Sequence, residues 1–189
     1  MKHKFLTCLL TLSVVSYAQI STSNNVFDAK EYSKDIALYD SKNFLFNHVL
    51  HVKNEPIKFE VIPLAAASSG ELTTLIYKSQ EKEGLILGFY GSYLKESGVA
   101  FTGFGFKALN KEQATEFLNK IQDIIDNEQK YLRDNSNSNN IVFRYEDIDV
   151  LISYDGTTNI RLFYQKFDST WEKTAFERSH RRFERKKSK

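Results

Sequence analysis

Cysteine is nearly missing from this chain of 189 residues, and its one thiol, Cys8, lies close to the start. Residues 1–18 have the make-up of an export leader: basic Lys2 and Lys4, an apolar run from Phe5 to Val15, then Ser16-Tyr17-Ala18 with small residues at both ends of the triplet. Too little apolar sequence precedes Cys8 for a lipid-attachment site. Cleavage after Ala18 is expected, leaving a mature chain that starts at Gln19, has no cysteine and is placed in the periplasm or outside the cell. Such a chain can form no disulfide, no cysteine-ligated zinc site and no thiol nucleophile, so packing alone must hold it together.

Proline (2) and glycine (8) are scarce, which excludes collagen-like and low-complexity chains. Beyond residue 18 no run approaches the roughly 20 apolar residues a membrane-spanning helix requires, so no transmembrane span is expected in the mature chain. Neither sign of charge dominates, with 26 Lys and Arg against 24 Asp and Glu. The distribution is uneven, however. From 178 to 189 there are seven basic residues, Arg178, Arg181, Arg182, Arg185, Lys186, Lys187 and Lys189, against the single acid Glu184.

What the chain does contain is 15 Phe and 10 Tyr, enough for a core, arranged with two periods. Tyr32, Ile36 and Tyr39 have helical spacing over 28–40. Phe44, Phe46, His48, Leu50 and Val52 alternate, Lys53 to Pro56 supply a turn, and Ile57, Phe59 and Val61 resume, which predicts a hairpin. Further strands are predicted at 71–79, 85–94 and 99–109, with links too short for crossover helices, so neighbours should be antiparallel. Asn110 and Gln113 form a capping box for a helix over 111–132, whose stripe is Ala114, Phe117, Leu118, Ile121, Ile124, Ile125 and Leu132. Strands follow at 141–145, 148–154 and 159–166. Ser169 and Glu172 then read as the cap of a last helix carrying Trp171, Ala175 and Phe183 on one side.

The organisation expected is therefore a leader over 1–18, a lead and short helix over 19–43, one domain over 44–169 and a basic helix or tail over 170–189. The fold class is α+β: an antiparallel meander sheet of about 7–8 strands, one long amphipathic helix on a face, and a basic C-terminal helix.

Signatures of chemistry are few. Gly103-Phe-Gly105-Phe-Lys-Ala108 has the outline of a dinucleotide fingerprint, yet Phe104 and Phe106 alternate with Phe101 as in a strand still in progress. The structural reading is a bare lane at Gly103 and Gly105, with Gly88 and Gly91 serving the same end, that lets a ring or helix approach closely. His48 and His51 on a strand point to opposite faces, so no metal site is assigned to them, and His48 is expected half-buried in an apolar face. Glu146, Asp147, Asp149 and Asp155 fail the calcium-loop formula, because Leu151 takes an oxygen position and no glycine follows. There is no Gly-x-Ser-x-Gly elbow. No cofactor and no catalytic residue is assigned.

The reading that remains is an exported, non-catalytic binding or envelope-associated protein. Tyr90, Tyr93, Phe104 and Phe106 are its candidate ligand-binding aromatics. Arg178, Arg181, Arg182, Arg185, Lys186 and Lys187 are its candidate contacts to an anionic lipid or polysaccharide surface, with Trp171 and Phe176 adding apolar contact. Nucleic acid is disfavoured as a partner outside the cytoplasm. The alternative is a secreted hydrolase using paired carboxylates on a glycan or peptide, marked by acids of perturbed proton affinity in an aromatic cleft.

Overall fold

The computed structural model describes residues 37–52, 54–94, 100–135 and 138–188; the expected leader over 1–18 and the lead over 19–36 lie outside them. The first element, α1, is α-helical over residues 37–44 and π-helical over Leu45–Leu50. This replaces the strand expected over 44–52. The buried pair is Leu45 and Leu50, five apart, which is the spacing of a π turn and not of a strand. Val52, expected on the inner face, is 54% exposed. A left-handed His51 (φ 51°) ends the helix.

Eight strands then make two sheets of four rather than a single meander. The first sheet pairs β1 (Phe59–Ala66), β2 (Leu72–Ser79), β3 (Glu83–Leu94) and β4 (Ala100–Asn110) in chain order, all antiparallel. After α2 (Lys111–Asn127) and α3 (Gln129–Asp134), the second pairs β5 (Asn140–Tyr145), β6 (Ile148–Tyr154), β7 (Thr158–Tyr164) and β8 (Phe167–Glu172), and α4 (Lys173–Lys186) closes the chain. Short links dictate antiparallel neighbours within each meander, but the α2–α3 segment frees β5 from β4, so the split into two sheets has no local signal.

The last strand, β8, occupies residues expected to cap a helix. Phe167, Ser169 and Trp171 alternate inward along it, and Ser169 Oγ donates to the Glu71 carbonyl (3.1 Å) instead of capping α4. At the other helix the cap is as expected: the Asn110 side chain accepts from the Gln113 amide (2.8 Å) and Gln113 Oε1 accepts from the Asn110 amide (3.0 Å). The helix breaks at Glu128, and Leu132 is buried from α3.

One core joins the inner faces of both sheets to α2, α3 and α4, with Leu85, Leu87, Phe89, Phe117, Ile121, Val150, Ile160, Leu162, Trp171 and Phe176 at its centre. Each fully buried side chain of this kind contributes about 1.5–3 kcal/mol of transfer free energy. A second cluster lies on the opposite face of the first sheet, where Leu45 and Leu50 of α1 cover Leu75, Tyr77 and Ile86. The middle of β3 is consequently buried on both sides, which explains the unbroken apolar run Leu85-Ile86-Leu87.

The sheets meet at a glycine lane. The Phe167 ring lies where a Gly105 Cβ would stand, its Cε2 only 2.4 Å from that position, while Gly91 leaves 3.7 Å. Carboxylates latch the same junction. Glu172 accepts from the amides of Ser68 (3.0 Å) and Ser69 (3.4 Å) in the β1–β2 turn, and Glu71 accepts from the Thr170 amide (3.0 Å). On α4, Ser179 Oγ lies 2.7 Å from Thr74 Oγ1 in the interior and also donates to the Ala175 carbonyl, so both buried hydroxyls have partners.

Candidate functional site

Three places combine exposure with chemistry. The first is the outward face of β3 and β4 beyond the cover of α1. Tyr90 stands opposite Phe104 in the ladder, with ring centroids 4.7 Å apart. Phe104 stacks on Phe106 at 5.8 Å and 14°, and Phe106 meets Phe44 of α1 at 5.7 Å. All four rings are half-buried. Gly88 allows the Phe106 ring to lie across the sheet, because a Cβ there would sit 3.0 Å from its Cε1. Hydroxyls of Ser92 and Thr102, 2.7 Å apart, continue the face past Tyr90. Three of the four expected aromatics thus share one surface. Tyr93 pairs with Phe101, three positions from Tyr90 and therefore at the other parity of the strand, and its side chain lies outside the described residues.

The second is α4. Its apolar side, Ala175, Phe176, Ser179 and Phe183, is buried. Arg178, Arg181 and Arg185 project from the opposite side at spacings of three and four, exposed and without an ion-pair partner among the described residues. The other expected cations differ. Arg182 Nη1 donates to the Leu64 carbonyl, and Lys187 bonds Glu184 (2.7 Å) and Thr115 (3.3 Å), so both tie the helix to the body. Lys186 is exposed, and its carbonyl accepts from Lys78 Nζ. Trp171 (1% exposed) and Phe176 are core residues packed edge to face at 5.1 Å, so neither offers the apolar contact expected of it.

The third is a notch of about 550 Å³ between the end of α1, the β2–β3 hairpin and the start of α2. Among its lining residues are His48, His51, Tyr77, Glu81, Lys82 and Glu112. Sequence reasoning missed it because a strand over 44–52 would send His48 and His51 to opposite faces; the π turn brings both to the rim, and both are exposed. His48 packs on Phe44 (5.0 Å) instead of sitting half-buried in an apolar face. The spacing of five between Leu45 and Leu50 was the available signal. Tyr77 forms the floor. Burial, with the charges of Glu112 and Glu83, pushes its phenol up to about 12.

The acids of the β5–β7 turns are engaged separately. Glu146 accepts from Gln113 (3.0 Å), Asp147 pairs with Lys107 (2.5 Å), Asp149 holds Arg144 through two bonds (2.6 and 2.8 Å), and Asp155 accepts from Asn159 (2.7 Å). Among the described residues no group of three or more His, Cys, Asp or Glu is placed to hold a metal ion, and no helix is long and apolar enough to cross a membrane. Two carboxylates move from their ordinary range. Glu83 is lowered because the Ser188 amide and Lys78 outweigh the effect of burial, and Asp149 is lowered by the Arg144 guanidinium. Comparison with protein families, with curated proteins and with solved structures finds no match.

Proposed function

We propose that this chain is an exported, non-catalytic binding protein held against an anionic envelope surface by α4, with the Tyr90, Phe104 and Phe106 face as its ligand platform. The observation that carries the reading is the arginine stripe. Arg178, Arg181 and Arg185 stand on one side of a helix whose other side is locked into the core, so their charges are presented together without the entropy cost of ordering a loose tail. A basic residue near an anionic lipid surface contributes about 1 kcal/mol, so three supply about 3 kcal/mol, or roughly a hundredfold in affinity. The aromatic face adds a second element, since stacked, half-exposed rings beside paired hydroxyls suit a ligand with both apolar and hydroxylated surface.

Co-sedimentation with phosphatidylglycerol vesicles tests the proposal. The wild-type chain is expected to bind them and to leave phosphatidylcholine vesicles unbound, with roughly a hundredfold loss for R178Q/R181Q/R185Q. Wild-type protein that ignores anionic vesicles, or a triple variant that binds as well as wild type, would overturn lipid attachment. Retention on an acidic polysaccharide in place of vesicles would keep the stripe and change its partner.

A further inference from the structure

We infer that β5 is the pairing edge of a twofold dimer, in which a second copy of this chain adds its own β5 antiparallel to the first and joins the two second sheets into one. The turn fixes which backbone groups are available. Only Glu146, with φ 54°, and Asp147 lie between Tyr145 and Ile148, so these two close the hairpin as a hydrogen-bonded pair. Bonded pairs then recur at Phe143–Val150 and Ile141–Ile152, and the N–H and C=O groups of Asn140, Val142 and Arg144 point away from β6. Among the described residues nothing bonds to them. The other sheet edges are engaged: Arg182 donates to the Leu64 carbonyl of β1, Tyr164 donates to the Phe106 carbonyl of β4 (3.2 Å), and the Thr170 amide of β8 donates to Glu71 (3.0 Å). Strand β1 also carries Pro63 beside a register shift, both of which blunt an edge. Strand β5 has no proline and no shift, and its charged side chain, Arg144, is drawn across its own sheet to Asp149 by two bonds (2.6 and 2.8 Å).

The strand is its own complement. An antiparallel partner can use the outward groups only if outward residues face outward residues, each such pair exchanging two bonds. A twofold axis centred on Val142 meets this condition along the whole of β5: Val142 faces the second copy's Val142, and Asn140 faces the second copy's Arg144 at either end. An axis at Arg144 would oppose two arginines and run Val142 into the turn at Glu146, and one at Asn140 would carry Val142 past the strand to Ser138. On the solvent face the central pair covers a valine that is 69% exposed in the single chain. On the inner face Ile141 meets the second copy's Phe143, both half-buried at the margin of the core. No pair in this register opposes like charges, and the same patch serves both copies, as a twofold interface requires.

The test is sedimentation of the mature chain from about 10 µM to about 2 mM, because one short strand makes an interface of the weak class. The weight-average mass is expected to climb from one chain toward two. Val142→Lys sets two ammonium groups face to face at the axis and should weaken dimerisation about tenfold or more. Its melting temperature at low concentration should stay within about 2 °C of wild type, the position being exposed. Disulfides read the register, since the chain from Gln19 onward has no cysteine. At Val142→Cys the paired Cα atoms stand about 5.5 Å apart and should link under mild oxidation, whereas at Arg144→Cys they are about 14 Å apart and should not. A wild-type chain that stays monomeric throughout, association of V142K equal to wild type, no link at 142, or a link at 144 as ready as at 142 would each overturn the inference.

Discussion

Substituting alanine at two glycines of one strand separates close packing from mere absence of a side chain. Gly103 and Gly105 are two apart on β4 and share a face. At Gly105 a Cβ would meet Phe167 carbons at 2.4 and 2.8 Å, closer than carbon atoms can stand, while at Gly103 nothing lies within 4 Å. Neither has a positive φ, so alanine strains neither backbone. Gly103→Ala should therefore be neutral or stabilising by about 0.4–1 kcal/mol, through reduced freedom of the unfolded chain. Gly105→Ala should cost about 1–3 kcal/mol, because Phe167 is held by β8 and cannot retreat without moving the second sheet. In a domain of this size, that lowers the melting temperature by about 2–4 °C per kcal/mol. Urea unfolding measures both variants, and Phe167→Leu in the Gly105→Ala background should recover part of the loss as a coupling of about 1 kcal/mol. Equal effects at 103 and 105, or no coupling to 167, would refute the packing of the two sheets through this lane.

Glu172→Ala removes the carboxylate that holds the Ser68 and Ser69 amides, and should destabilise by about 1–3 kcal/mol while hydrogen exchange at those two amides accelerates. The pH profile of stability should fall in two steps. His180 is lowered from 6.5 by burial, aided by Lys187 and opposed by Glu184, so below that value the unfolded chain binds the proton more readily and stability is lost as pH falls from about 6.5 toward the folded value. Glu83 is lowered from 4.5, so its contribution is present above that value and is lost as pH falls through the folded one. Urea midpoints across pH should show the first step vanish in His180→Gln and the second shrink in Glu83→Gln, with Asp149 supplying the acid loss that remains.

What was legible in the sequence had a local cause. The Asn110–Gln113 box needs four consecutive residues, and the stripe of α2 needs one helix, so both were readable and both are present. The lane at Gly105 was readable as an alternation, although its occupant, Phe167, comes from another sheet and was not. Residues 44–52 alternate as a strand would, but packing of Leu45 and Leu50 on Leu75, Tyr77 and Ile86 of the first sheet decides for the helix. Ser169 and Glu172 have the spacing of a cap, but tertiary partners claim both side chains, Glu71 for the first and the Ser68 and Ser69 amides for the second. Three of the aromatics were recognisable together because they alternate on one hairpin. The notch was not, since His48, Tyr77 and Glu112 reach it from three separate elements.

The mature chain's expected lack of cysteine permits the most direct test of how the protein is held. A polarity-sensitive fluorophore on a cysteine introduced for Thr174, exposed on α4, is compared with one introduced for Val142, 69% exposed on the second sheet. On adding phosphatidylglycerol vesicles the label at 174 should shift to the blue, reversibly with salt, while the label at 142 stays unchanged. A shift at 142 with none at 174 would contradict attachment through α4.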